Sequence, residues 1–193
     1  MSLTIFTLKM IKVVILGTVA LDDIETPFGK VKNVLGGSAT YAGYAASFFA
    51  KPGIVSIIGN DFPKDHLTTL EKKGISLDGI QRQGKTFRWK GFYEYDMNEA
   101  KTLKTELNAL ESYKPVVPDS YRNSPYIFLA NIGPSHQLEV LKQMRNPQLV
   151  VMDTMNLWVE HKRDDLLRLI KKVDVLLLND GEARQFFKTP NLV

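Results

Sequence analysis

The chain has 193 residues, enough for one domain with a sizeable core and too few for two independent ones. Hydrophobic residues make up 44% and charged residues 24%, and no tract is low in complexity, which excludes long intrinsic disorder. The formal charge of +4 is scattered in pairs such as Lys72-Lys73, Lys162-Arg163 and Lys171-Lys172, so nucleic acid finds no continuous basic stripe, and the lack of cysteine excludes disulfide scaffolds, thiolate nucleophiles and cysteine zinc sites while fitting a reducing cytoplasm.

The first apolar run, 11–16, continues to residue 21 and then meets Asp22-Asp23. It is far shorter than the ~20 residues a membrane span needs and has no cleavage pattern behind it, so it reads as a buried strand of a soluble, non-secreted chain. Met1, in Met1-Ser2-Leu3, and Met10, directly before the strand, are the two candidate natural starts. Similar short runs rich in β-branched residues recur at 54–58, 126–130, 149–152 and 173–178, each too short for a helix and too uniformly apolar for a half-exposed strand. Helical stretches at 38–51, 63–73, 134–144, 159–172 and 181–188 alternate with them. In the fourth, Val159, Leu166, Leu169, Ile170 and Val173 share one face, opposite Lys162, Arg163, Asp164, Arg168 and Lys171. Pro63 and Pro134 stand at helix starts, where a missing backbone donor is harmless. The expected fold is an α/β sandwich around a mostly parallel sheet, a single unit over 1–193.

Two segments break the alternation, 28–35 and 86–110. The second holds Phe87-Arg88-Trp89-Lys90-Gly91-Phe92-Tyr93-Glu94-Tyr95, with strand propensity and dense aromatics. It reads either as an edge hairpin or as a small β-lid at the ligand end of the sheet.

Several polar groups fall just past strand ends. Asp22 follows the first strand, where an ionised acceptor suits a polyhydroxylated ligand. Gly36-Gly37 opens the first helix and either shapes a tight turn or lets backbone approach a ligand near unpaired amides. The glycines match neither a P-loop nor Gly-x-Gly-x-x-Gly. Gly59-Asn60-Asp61 reads as a helix cap or a ligand turn. Asn179-Asp180-Gly181-Glu182 reads as a capping box, or as an amide and a carboxylate able to hold the water shell of Mg²⁺ beside a phosphate.

In this order, Gly17-x-x-x-x-Asp22, Gly36-Gly37, Gly59-x-Asp61, a lid segment and Asn179-x-x-Glu182 resemble the ribokinase family of PfkB-type carbohydrate kinases, over residues 11 to about 188. The resemblance implies a ribokinase-like three-layer sandwich with a small β-lid, and ATP-dependent phosphorylation of a sugar, nucleoside or related alcohol. It makes Asp22, Gly36 and Gly37 substrate contacts, with Arg88 and Tyr93 reaching in from the lid. Asn179 and Glu182 become the ATP-side pair, Glu182 acting on Mg²⁺ through water. Asp153 and Asn156 fall where the family often has Asp-Pro-Asn, with the spacing off by one. Tyr41 stands where the family commonly has Asn, which argues against plain ribose, and Lys64 replaces the glycine after Asp61. The family's Gly-Ala-Gly-Asp segment, which supplies the anion hole and catalytic base, does not occur in the 193 residues. The sequence thus corresponds to the first two-thirds of such a kinase and is expected to be inactive alone. The other reading is a non-catalytic sugar-binding or subunit-interaction module. A homodimer is expected, because lost later strands expose apolar edges and several family members pair through their lids.

Overall fold

The structure, a computed structural model, describes residues 10–95, 97 and 100–192. Met1-Ser2-Leu3 lies outside the described residues. The first half of the chain forms β1 (Val13–Leu16), β2 (Ala20–Thr26), β3 (Gly29–Gly36), α1 (Ser38–Ala46), β4 (Pro52–Ile58), α2 (Lys64–Lys72), β5 (Ser76–Arg82), β6 (Arg88–Tyr93) and β7 (Ala100–Glu106). The second half forms β8 (Tyr126–Leu129), α3 (Pro134–Gln143), β9 (Leu149–Asp153), α4 (Asn156–His161), α5 (Arg163–Ile170), β10 (Val175–Leu177) and α6 (Asp180–Phe187), after two short 3₁₀ turns.

Six strands make one sheet in the order β10-β9-β8-β1-β4-β5, and every pairing in it is parallel. The period of two along each central strand sorts side chains to two cores. Val14, Leu16, Val55, Ile57, Ile127 and Leu129 join the core under α3, α5 and α6, while Ile15, Ile54, Ile58 and Ala130 join that under α1 and α2. The apolar runs of β1, β4 and β8 are therefore strands with a core on each face, as expected, whereas β10, in the run 173–178, is a sheet edge on which Val175 and Leu177 are exposed.

Local chemistry moves several boundaries. Helix α1 stops at Ala46, and Ser47 to Ala50 continue it only as hydrogen-bonded turns; Lys51, the residue before Pro52, is driven out of the helical region as β4 begins. The single helix expected over 159–172 is two. Lys162 (φ −135°, ψ 33°) ends α4 and starts α5, and the bend lets Val159 and then Leu166 and Leu169 reach the core.

A second sheet, β3-β2-β6-β7, projects from the first. It includes both segments that broke the alternation, and also Ala20–Thr26, so Asp22 lies on a strand and not in a loop. Strand β2 runs antiparallel to β3 and parallel to β6. The 3₁₀ turn Asn108–Ser112 returns to the main body, with Ala109 and Leu110 in its core. Among the described residues no helix is long and apolar enough to cross a membrane.

Candidate functional site

Strands step outward from β1 to β4 and β5 on one side and from β8 to β9 and β10 on the other. Strand order therefore reverses between β1 and β8, and a crevice opens beyond their carboxyl ends. Because every strand of this sheet is parallel, the turns after β1, β4, β8, β9 and β10 all open at this edge.

Asp22 is 8% exposed, and its Oδ1 is buried with no hydrogen-bond partner. Burial first, and the Asp23 carboxylate second, push it from the usual 3.8 up to about 6. Gly36 lies against it: a Cβ there would fall 1.9 Å from Asp22 Oδ2. Gly37 has φ +98°, and a Cβ on it would fall 2.3 Å from the Thr18 oxygen. The pair of glycines thus leaves room for the carboxylate and turns the chain into α1. Thr40 Oγ1 donates to the Gly36 oxygen at 2.8 Å, securing that turn. The hydroxyl of Tyr41 is raised by its own burial, then by Asp22 and then by Tyr93, which places groups from α1, β2 and β6 in one neighbourhood. Beside them an open groove of about 560 Å³, lined by Leu35, Thr40, Tyr41, Tyr44, Phe48 and Phe49 among others, follows α1. Its lining is mainly apolar and aromatic and suits apolar contact, with Lys73 Nζ 4.7 Å from the Tyr44 ring centre.

Asp61 does not cap α2. Pro63 holds the N-cap position, and Asp61 Oδ1 instead accepts from Thr86 N at 2.7 Å and Thr86 Oγ1 at 2.8 Å. These bonds outweigh burial and lower its pKa. Thr86 Oγ1 in turn accepts from Gly59 N at 3.0 Å. The Gly59-x-Asp61 turn is therefore the seat on which the chain enters β6. Arg88 is already engaged there, with Nη2 3.5 Å from Asp61 Oδ2 and Nη1 donating to Asn33 Oδ1. Tyr93 is half-buried and meets Trp89 edge to face at 6.4 Å.

On the far side of the crevice Asn179 and Glu182 form the capping box of α6. Glu182 N donates to Asn179 Oδ1 at 2.8 Å, and Asn179 N donates to Glu182 Oε2 at 3.0 Å. Glu182 Oε1 and the Asn179 amide nitrogen stay outside the box. Asp153, the last residue of β9, has a buried Oδ1 without a partner, and burial followed by the nearby Glu182 pushes it up to about 7. Two neighbouring carboxylates, one oxygen orphaned, form a donor set that fits a hard cation such as Mg²⁺. Among the described residues no group of three or more His, Cys, Asp or Glu is placed to hold a metal by itself. Asn156 begins α4 after the Met155 cap.

Sequence reasoning passed over Gln137, which is fully buried on α3. Its Nε2 donates to the oxygens of Leu129 (2.9 Å), Ala130 (3.3 Å) and Asp153 (3.1 Å), pinning together the ends of β8 and β9. It also passed over Asn131, although the placement argument applied to Asp22, a polar side chain just past an apolar strand, fits Asn131 equally.

No family model matches the chain. It is 29% identical over 179 residues to the cytidine kinase of Thermococcus kodakarensis, covering 90% of this chain and 63% of that protein. Among solved structures, the nucleoside kinase of Methanocaldococcus jannaschii, an archaeal member of the ribokinase family, superposes with a TM-score of 0.71 at 19% identity, over 95% of this chain and 66% of that one. The ribokinase of Cryptococcus neoformans var. grubii in complex with ADP gives 0.70 at 17% identity, over 94% and 62%. The fold is the ribokinase-like α/β fold, as the order of motifs implied. The structural neighbours are ribokinase/PfkB family kinases, and this chain spans a little under two-thirds of the length of each protein just named.

Proposed function

We propose that the chain is the substrate-binding and nucleotide-facing part of an ATP-dependent kinase acting on a hydroxyl of a nucleoside or related sugar. The observation that carries this reading is Asp22, a buried carboxylate with an unpartnered oxygen, kept in place by a glycine that has no room for a side chain. Holding such a group costs stability, and a ligand offering hydroxyl donors would satisfy it. Gly36 and Gly37 let the ligand approach the backbone at the start of α1. Arg88 and Tyr93 cover it from the second sheet, and Tyr41 adds an aromatic face suited to a nucleobase. The likeness to a cytidine kinase and to a nucleoside kinase supports a nucleoside over a free pentose.

Asn179 and Glu182, with Asp153 beside them, would face Mg²⁺ and the phosphates, Glu182 through water. Bound MgATP supplies the phosphoryl group and neutralises its charge. A base that takes the substrate proton, and amides that stabilise the phosphoryl oxygens, are provided in the resembled family by Gly-Ala-Gly-Asp. No such segment occurs in these 193 residues. We therefore expect the chain alone to bind and not to turn over, since a lost general base costs ~10² to 10⁴ in rate and one lost oxyanion-type donor ~10² to 10³. A cytoplasmic homodimer completes the proposal.

The test pairs calorimetry with a turnover assay on the pure 193-residue protein. Cytidine should give heat with the wild type and much less with Asp22→Ala, and no ADP should form with Mg²⁺ and ATP present. Equal cytidine affinity in both proteins removes Asp22 from the site. Sustained nucleoside-dependent ADP formation places the catalytic base inside this chain.

A further inference from the structure

Asn131 lies in the turn after β8, one residue beyond Ala130, where strand order reverses. Its backbone oxygen accepts a hydrogen bond from Ser38 Oγ at 2.8 Å, and Ser38 Oγ in turn accepts from Thr18 N at 3.0 Å. One hydroxyl at the start of α1 thus ties the turn after β1 to the turn after β8. The junction has no slack, for a Cβ on Gly17 would lie 2.5 Å from Ser38 Oγ and 2.9 Å from Ala39 N.

The Asn131 side chain reaches the other way. Its Oδ1 accepts from Trp158 Nε1 at 2.9 Å, and its Nδ2 lies 3.2 Å from Met155 Sδ. A thioether is a weak acceptor, so the amide is oriented by the indole and leaves much of its donor capacity unspent. Met155 and Trp158 belong to the start of α4, immediately after Asp153 and Thr154. Both of those residues carry buried side-chain oxygens without partners. Gly36, Gly37 and Asp22 lie at one end of this chain of bonds and the Asp153 carboxylate at the other.

We infer that Asn131 is a positioning residue that couples the two halves of the crevice: filling the Asp22 side moves the turn after β9 through Ser38 and Asn131. The inference rests on the proposed function only for the identity of the ligand. Packed interiors transmit a displacement where hydrogen bonds join elements without intervening space. Gln137 joins the ends of β8 and β9 separately, but the Trp158 indole is reached through the Asn131 amide and Ser38 Oγ ties Asn131 to the turn after β1, so cutting either interrupts the path to Trp158.

The probe is cytidine, and the reporter is the Trp158 indole N–H signal in a heteronuclear NMR spectrum, assigned with Trp158→Phe. The Trp89 indole, which donates to Thr102 Oγ1 in the second sheet, serves as a folding control. In the wild type, cytidine should shift the Trp158 signal. In Ser38→Ala the shift should vanish while calorimetry still records cytidine binding, and before ligand is added the Trp89 signal should keep its wild-type place. Asn131→Ala should displace the Trp158 signal before any ligand is added and then leave it unresponsive; this variant replaces Ser38→Ala if the latter does not fold. A Trp158 signal that ignores bound cytidine in the wild type, or still follows it in Ser38→Ala, overturns the coupling and leaves the proposed function standing. Absence of cytidine heat in the wild type overturns the proposed function, and the coupling with it.

Discussion

Replacing Asp22 by asparagine should stabilise this protein at neutral pH while weakening its ligand. Burial and Asp23 raise Asp22 from 3.8 to about 6 in the folded chain. A group whose folded pKa lies above its unfolded one favours folding fully below the unfolded value and loses that contribution as pH rises through the folded value. Folding with an ionised Asp22 is thus penalised above about pH 6. At about 1.4 kcal/mol per pKa unit, the roughly two-unit shift sets a ceiling near 3 kcal/mol. Solvent reaching the open side of the crevice cuts this to roughly 1–2 kcal/mol. Asn is nearly isosteric, so it keeps the fit against Gly36 and removes only the charge. Urea melts of wild type and Asp22→Asn should show that gain at about pH 7.5, falling below about 1 kcal/mol near pH 4, where Asp22 is protonated in the folded chain and its burial no longer confines a charge. Cytidine affinity of the wild type should fall over the same interval, because the protonated carboxyl is the poorer acceptor. A variant less stable than wild type at neutral pH, or one whose gain is the same at both pH values, would refute the reasoning that Asp22 is held against its own solvation.

Gly37→Ala should cost on the order of 3 kcal/mol, combining a positive φ that alanine resists with a backbone collision that cannot relax by rotating a side chain; a urea midpoint within error of wild type would contradict this. The chain should also self-associate, since Phe48 and the 91% exposed Phe49 follow α1, Val175 and Leu177 are exposed on β10, and Phe28 packs edge to face on Tyr95 in the second sheet. Light scattering at concentrations about tenfold apart should show a dimer, and comparing Phe49→Ser with Phe28→Ser locates the contact on the main body or on the second sheet; a monomer at both concentrations is incompatible with the prediction.

The strands most legible in the sequence are those with a core on each side. Val14 and Ile15 face opposite cores, as do Ile54 and Val55, so the run must be apolar at consecutive positions and announces itself. Strand β2 gave no such signal. Ala20–Thr26 carries two adjacent aspartates, which disfavour strands, and it is extended because β3 and β6 pair with it on either side. Strand β5, with Asp78 and Gly79 in its middle, is hidden for a similar reason at the sheet edge. The site was legible as a set of positions past strand ends and illegible as a set of contacts. Asp61 meets Thr86 across 25 residues of chain, and Ser38 meets Asn131 across 93. No local pattern encodes either pairing, whereas the Asn179-Glu182 capping box spans three residues and was readable in full.

The two halves of the crevice differ in how their carboxylates are held, and the difference bears on what each is for. Asp22 has a hydroxyl-bearing neighbour in Tyr41 and a glycine pressed against it, but its Oδ1 has no hydrogen-bond donor at all. A donor there would be supplied by a ligand, and a neutral polyhydroxylated molecule supplies donors without adding charge. Asp153 lies beside a second carboxylate, Glu182, whose charge adds to the burial that raises it. Hydroxyl donors alone would leave that repulsion in place, whereas a cation relieves it. Asp22 shares both features, an Oδ1 without a donor and the Asp23 carboxylate as the second cause of its raised pKa, so what separates the two positions is their company: Gly36 and Tyr41 beside Asp22, the Asn179–Glu182 capping box beside Asp153. Under the proposed function, the glycine turn beside Asp22 receives the alcohol, and the capping box beside Asp153 faces the metal-bound nucleotide, where a cation would relieve the repulsion between Asp153 and Glu182.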